Sequence, residues 1–298
     1  MADRRAALVT GSGRGLGRAY ALALARLGHA VVVNSPPRPA GASALAVADE
    51  ITAAGGQAVA YIGSIDDDAG GVAAAQAALD AFGRLDVLVA NAGIILNKPF
   101  GETTGADLDA MLGVHLRGPF AAARHAVTAM RERGFGRVVL TGTGSAAFGL
   151  EDQTAYASAK GALAALAKVL ALELAGEDVL VNVVLPVAPP AGRTPATARI
   201  RALFGDREPR LEPEWVAPLV CLLAGDACPG SGGVYSAVAG RYARVVTALG
   251  HGWQADGAAP PTADEMAAHA DAIADDRARI APTSILEEIE DAARRSGG

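Results

Sequence analysis

The chain is poor in cysteine, in aromatic residues and in basic charge, and each shortage excludes something. Two cysteines, Cys221 and Cys228, stand in 298 residues. They make no disulfide framework and share no metal-ligand spacing with histidine. Aromatic residues make up 4%, so the core must be built mainly from Ala, Val and Leu. Twenty-six Lys and Arg against 32 Asp and Glu leave a net charge of -6, which excludes the concentrated basic face that nucleic-acid binding needs. By this reading no apolar run reaches the roughly 18–20 residues of a membrane helix. The start of the chain lacks the layout of a signal peptide. A soluble, cytoplasmic protein without nucleic-acid or membrane partners is expected. His29, His115, His125, His251 and His269 show no H-x-x-x-H or acid-paired pattern, and no metal is expected.

What is present is alternation. Short apolar stretches at 6–10, 30–33, 58–62, 87–90, 137–141, 179–185 and 233–238 take turns with helical ones. The helical stretches lie at 18–27, 43–54, 72–82, 107–133, 155–175 and 213–223, the fourth broken near Gly118 and Pro119. Such βαβ repetition predicts an α/β fold, a Rossmann-type doubly wound parallel sheet of about seven strands. Residues 1–240 form the expected catalytic domain, and 241–298 a helical extension of it. Residues 187–212, rich in Pro, Arg and Ala, read as a loop or lid over the C-terminal edge of the sheet.

Gly11, Ser12, Arg14, Gly15, Leu16 and Gly17 lie between the first strand and the first helix. Glycines there let a pyrophosphate approach the backbone, and the helix N-terminus supplies N–H donors. The strand before and the helix after give the context such a loop requires. The second strand ends in Asn34 and Ser35, where an NAD site often has an acid for the ribose 2′-hydroxyl. With no acid, and with Arg14 and Arg38 close by, a 2′-phosphate would be held rather than repelled. NADP(H) is therefore favoured over NAD(H), with Ser35 and Arg38 among the contacts. The plain alternative is that both arginines are solvated surface charges.

Tyr156 and Lys160 are four apart on an expected helix and share a face. A neighbouring ammonium favours phenolate and is expected to lower the tyrosine pKa from its usual value near 10. The phenol could then exchange a proton with a substrate oxygen near neutral pH.

The loop from Thr10 to Gly17, the run Asn91-Ala92-Gly93, and Tyr156 with Lys160 resemble the short-chain dehydrogenase/reductase family over about residues 6–240. The resemblance implies a Rossmann-type domain and hydride transfer between NAD(P)(H) and a ketone or secondary alcohol. It also implies cofactor contacts at Asn91, Ala92, Gly93, Tyr156 and Lys160, and a homodimer or homotetramer. The stretches 114–120, 213–220 and 232–240 resemble the (3R)-hydroxyacyl-CoA dehydrogenase domain of multifunctional β-oxidation enzymes. That implies a 3-ketoacyl or 3-hydroxyacyl thioester as substrate. His115 takes the place of the family's usual asparagine and could hold a water in a relay to Lys160; a packing role is the alternative. Thirteen residues before Tyr156 the family has serine; here that position is Thr143, with Ser145 two further on and lining the pocket. Ser64 is the expected adenine contact, Pro186 and Val187 face the nicotinamide, and Thr194 faces the substrate. Arg193, Arg199, Arg201, Arg207 and Arg210 are candidates for the phosphates of CoA. Two alternatives stand: an NADPH-dependent tailoring reductase of specialised metabolism, and a cofactor-binding protein without turnover.

Overall fold

Strands covered on both faces need no polar alternation, and four here are buried along their whole length. A computed structural model of the chain describes residues 4–37, 43–188, 195–255 and 259–296. In order these form β1 (Ala6–Val9), α1 (Gly15–Arg26), β2 (Ala30–Ser35), α2 (Ala44–Ala53), β3 (Gln57–Ile62) and α3 (Asp68–Phe82). Next come β4 (Val87–Ala90), α4 (Gly105–Leu112), α5 (Gly118–Arg133), β5 (Gly136–Thr141), α6 (Gly144–Phe148) and α7 (Thr154–Glu173). The series ends with β6 (Val179–Val187), α8 (Pro195–Phe204), α9 (Ala217–Ala224), β7 (Val234–Val238) and β8 (Arg241–Val245). β1, β2, β4 and β5 are the wholly buried strands; β3, on the sheet edge, is partly open.

The sheet runs β3-β2-β1-β4-β5-β6-β7-β8. β1 pairs in parallel with both β2 and β4, so the strand order reverses beside it. In such sheets ligands bind outside the carboxyl ends of the strands at this switch point. The opposite edge is pinned by Asp86. This fully buried carboxylate accepts from the Ala6 N–H at 2.7 Å and from the Arg84 guanidinium at 2.7 and 2.8 Å.

The doubly wound, mainly parallel sheet expected from the sequence is present, and several details differ. The sheet has an eighth strand, β8. Ala239 and Gly240, with φ of +48° and +85°, make a two-residue turn of the kind that joins antiparallel strands. The compact unit accordingly runs through Arg244, and 245–298 form a second. That second unit contains helices Ala263–Ala268, Ala270–Ala274 and Ile285–Ser296 and a short antiparallel pair, Leu249–Gly250 with Arg279–Ile280.

β6 continues through Pro186 to Val187 instead of stopping. The Val183 N–H donates towards β7, to Gly233, and the Val184 carbonyl accepts from Gly142 on the β5 side. The missing N–H of Pro186 therefore faces β5, whose pairing has ended at Thr141 with Val184. Within 187–212, read above as a loop or lid, the described part holds α8 and a 3-10 stretch, Gly205–Leu211. Finally, α7 is long and apolar enough by length and composition to cross a membrane. It carries the buried Lys160 and packs on β6, α4 and α6.

Candidate active site

The loop at the switch point is built for close approach. Gly11 has φ +62° and Gly15 φ +55°, a region that side chains rarely enter. A Cβ on Gly11 would stand 2.6 Å from Ala92 Cα. One on Gly17 would press on the Gly11 carbonyl oxygen and lie 2.6 Å from Asn91 Nδ2 and 2.7 Å from Ser12 Cα. No side chain caps the N-terminus of α1, and its first turn holds no acid. Its N–H groups are thus left for an anion. These are the features a dinucleotide pyrophosphate needs, and the residues present fit one. Gly17→Ala is expected to weaken NADPH binding by at least about tenfold, because backbone cannot yield to the methyl. Fluorescence titration with NADPH would check this, with circular dichroism showing the fold intact. An unchanged Kd would mean that the loop is only a turn.

Several residues around the loop support it from behind. Thr10 Oγ1 accepts from the Asn91 and Ala92 N–H groups at 3.0 and 3.1 Å. Asn91 Nδ2 donates to the Thr10 and Gly11 carbonyls at 3.0 and 3.2 Å. The Asn91 side chain thus clamps the loop. Asn34, buried at the end of β2, accepts from the Gly11 N–H at 3.0 Å and donates to the Tyr61 and Gly63 carbonyls at 3.2 and 3.0 Å. Ser12 was expected to meet the cofactor. It is fully buried, its hydroxyl donating to the Val9 carbonyl at 2.6 Å and accepting from the Asn34 N–H at 2.9 Å. Ser35 is also buried, and its hydroxyl accepts from the Ala44 N–H at 3.2 Å. Both side chains brace the loop region instead.

Arg14 and Gly15 are exposed on the loop, and Leu16 is half-buried. Ser64 is exposed and bonds Asp66 at 2.6 Å. Pro186 and Val187 are half-buried at the C-terminal end of β6. Arg38 and Thr194 lie outside the described residues, as does Arg193. The proposed arginine patch is partly spent: Arg201 pairs with Glu208 at 2.7 Å, and Arg210 lies over the Trp215 ring at 5.2 Å. Arg199 and Arg207 are exposed.

The reactive cluster assembles from three elements. Tyr156 and Lys160 come from the first turns of α7. His115 sits in a π-helical stretch, Gly113–Arg117, between α4 and α5; the wider turn is a common device at functional sites. Its ring meets that of Tyr156 edge to face, centroids 5.2 Å apart at 82°. Thr143 caps α6, its hydroxyl accepting from the Ser145 N–H. Ser145 Oγ lies 2.9 Å from Thr143 Oγ1. The Lys160 ammonium is buried and donates to the Thr141 carbonyl at 2.6 Å. His115 Nε2 lies 2.7 Å from the Ile94 carbonyl. A carbonyl only accepts, so Nε2 carries the proton and Nδ1 is a bare acceptor. Nδ1 is buried without a protein partner, beside Gly93, where a Cβ would stand 3.3 Å from it.

Burial governs the titration of this cluster. It pulls Lys160 down to about 7. Burial, with the Lys160 charge second, pulls His115 down to about 3, so the imidazole is neutral. The expectation of a depressed phenol is not met in the chain by itself. Burial raises the Tyr156 pKa, and Thr143 offsets this only in part.

The sequence assigns no bracing role to Thr10, Asn34 or Thr141. Each is a polar residue closing an apolar strand next to the loop or the lysine, and that placement is the only signal for it.

The model of the family described as short chain dehydrogenase matches residues 5–202. The peroxisomal multifunctional enzyme type 2 of Drosophila melanogaster is 37% identical over 256 residues, covering 84% of this chain and 41% of that protein. The solved structure of that full-length enzyme superposes with a TM-score of 0.82 at 30% identity, over 98% of this chain and 49% of the other. This chain therefore spans less than half the length of that relative. A hydroxyacyl-CoA dehydrogenase of Mycobacterium tuberculosis is 37% identical, covering 75% of this chain and 73% of that one. The crystal structure of a 3-oxoacyl (acyl-carrier-protein) reductase from Agrobacterium tumefaciens, solved with NADP bound, has a TM-score of 0.67 and 31% identity, over 80% of this chain and 94% of the other.

Proposed function

The chain belongs to the short-chain dehydrogenase family of NAD(P)-dependent oxidoreductases, and from that premise we propose that it interconverts a 3-ketoacyl and a 3-hydroxyacyl thioester with NADP(H). The observation that carries the reading is the joining of Tyr156, Thr143, His115 and Lys160 at one buried corner beside the glycine loop. A bound nicotinamide supplies or accepts the hydride. In reduction the Tyr156 O–H gives its proton to the carbonyl oxygen, which becomes the alcohol. Thr143 donates a hydrogen bond at the same corner. Lys160 returns a proton towards Tyr156, a path for which the bare Nδ1 of His115 suits a bridging water.

The thioester rests on two supports. The relatives that carry hydroxyacyl-CoA or 3-oxoacyl names cover 75% and 80% of this chain. Beside the site, Ile94, Ile95, Phe148 and Leu150 are exposed apolar side chains, suited to an acyl chain. NADP(H) is supported by the absence of an acid at the end of β2 and by exposed Arg14. A homo-oligomer is supported by the outer face of α7, where Val169 and Leu172 are about half exposed.

The test is kcat/KM for a 3-ketoacyl thioester and a cyclic ketone, each with NADPH and NADH. NADPH should be preferred, and Arg14→Ala should erode that preference by about tenfold. A strong NADH preference would overturn the cofactor choice. Turnover of the cyclic ketone alone would favour a tailoring reductase, and tight binding without turnover a binding protein.

A further inference from the structure

Two stretches of chain leave the reactive cluster and meet again. The first, 94–98, starts where the Ile94 carbonyl takes the His115 N–H at 2.7 Å, and its Leu96 packs beside Tyr156 and Met111. The second, 142–153, starts where the Thr141 carbonyl takes the Lys160 ammonium at 2.6 Å. Two hydrogen bonds join their far ends. The Lys98 N–H donates to the Asp152 carbonyl at 2.7 Å, and Gln153 Nε2 donates to Asn97 Oδ1 at 2.9 Å. The chain thus makes a closed rim, with the cluster on one side and this joint on the other.

Several features hold the joint. Asp152 has φ +62°, where side chains rarely go, and its carbonyl is the one that Lys98 meets. Gln153 stands at the N-cap of α7, yet its side chain caps nothing there and crosses to Asn97 instead. Lys98 is anchored from behind, its ammonium 2.7 Å from Asp107 in the capping box of α4. One helical turn, about 5.4 Å, carries α7 from Gln153 to Tyr156. Along the rim, Ile94 and Ile95 on one stretch and Phe148 and Leu150 on the other are exposed.

We propose that Asn97 and Gln153 are a specificity-determining pair, whose bonded amides end the apolar groove and hold the enzyme to short acyl chains. The proposal rests on the thioester reading and deepens it. An acyl chain that lies along the apolar side chains and stops at the joint leaves the amides in water. A longer chain must cover them, and an amide group stripped of water without a new partner weakens binding. The exclusion is therefore polar as well as steric.

The experiment measures kcat/KM for acetoacetyl-CoA and 3-ketodecanoyl-CoA with NADPH. The parent should favour acetoacetyl-CoA. Gln153→Ala and Asn97→Ala should each raise the ratio of 3-ketodecanoyl to acetoacetyl turnover by about tenfold, mainly through a lower KM for the long chain. The two together should do no more than either alone, because either one breaks the amide bond. Exchanging the pair, Asn97→Gln with Gln153→Asn, keeps the summed side-chain length and should bring the ratio back to within about threefold of the parent. The kcat on acetoacetyl-CoA and the Kd for NADPH should stay within about threefold throughout, which a general loosening of the fold would not allow. A ratio unmoved in both single variants overturns the proposal, as does a parent that already favours the long chain. A raised ratio that the exchange fails to lower also overturns it, since any gap in the rim would then serve. A parent that binds NADPH but turns over neither thioester would instead remove the reading on which the proposal rests.

Discussion

Tyr156→Phe retains cofactor binding and loses about two to four orders of magnitude in kcat. The substitution deletes one oxygen and little else. The ring keeps its edge-to-face contact with His115 and its place in the first turn of α7. What disappears is the proton donated to the substrate oxygen in reduction and withdrawn from it in oxidation. Because the glycine loop lies on other elements, the Kd for NADPH should stay within about threefold of the unsubstituted protein, well under 1.4 kcal/mol. Single-turnover rates beside equilibrium binding would separate the two. A variant keeping more than about a tenth of the original rate would show that another group, or solvent, supplies the proton.

The second large effect concerns stability. His115 is buried and neutral, with its pKa pulled down to about 3 from an ordinary 6.5. Between those values the unfolded chain holds a proton that the folded chain does not. Stability therefore rises with pH across this window and is lost as the pH falls from about 6.5 towards 3. The full difference is on the order of 4 kcal/mol. His115→Asn keeps a polar side chain that cannot ionise. The stability of the parent minus that of the variant should fall steadily below neutrality, as read from urea denaturation at a series of pH values. A flat difference from pH 7 to 4 would show that the ring is charged or well solvated in the folded chain. Lys160 acts in a separate window. Its depressed pKa makes stability rise between about 7 and 10.5, so the two groups do not blur each other's signal.

What could be read from the sequence was whatever depends on spacing. A separation of four positions puts Tyr156 and Lys160 on one helical face of α7, where the lysine is buried and the tyrosine half-buried. Counting thirteen back from the tyrosine reaches Thr143, which caps α6. Spacing says nothing about which way a side chain turns. Ser12 and Ser35 stand in the right segments but face inward, and Asn91 reaches the loop carbonyls. β8 escaped because an edge strand is not uniformly apolar: Arg241 and Arg244 stand out to solvent, as edge strands favour. Burial of the phenol works against the lysine's effect on it, and burial also pulls the lysine's own pKa down.

Asn34 has a consequence for changing cofactor choice. Redesign for NAD(H) would naturally begin by placing an acid at the end of β2, the position that reads the ribose in many such sheets. Here Asn34 is wholly inside, and both ends of its amide are committed, one to the turn at Gly11 and the other to the strand beyond. Aspartate is nearly the same size but has no N–H to offer the Tyr61 and Gly63 carbonyls, and would set a buried negative charge against them. The usual single step is closed at this position. A lineage or an engineer must first move the specificity contact outward, to the exposed rim where Arg14 stands, before the preference can be reversed without breaking the loop that holds both forms.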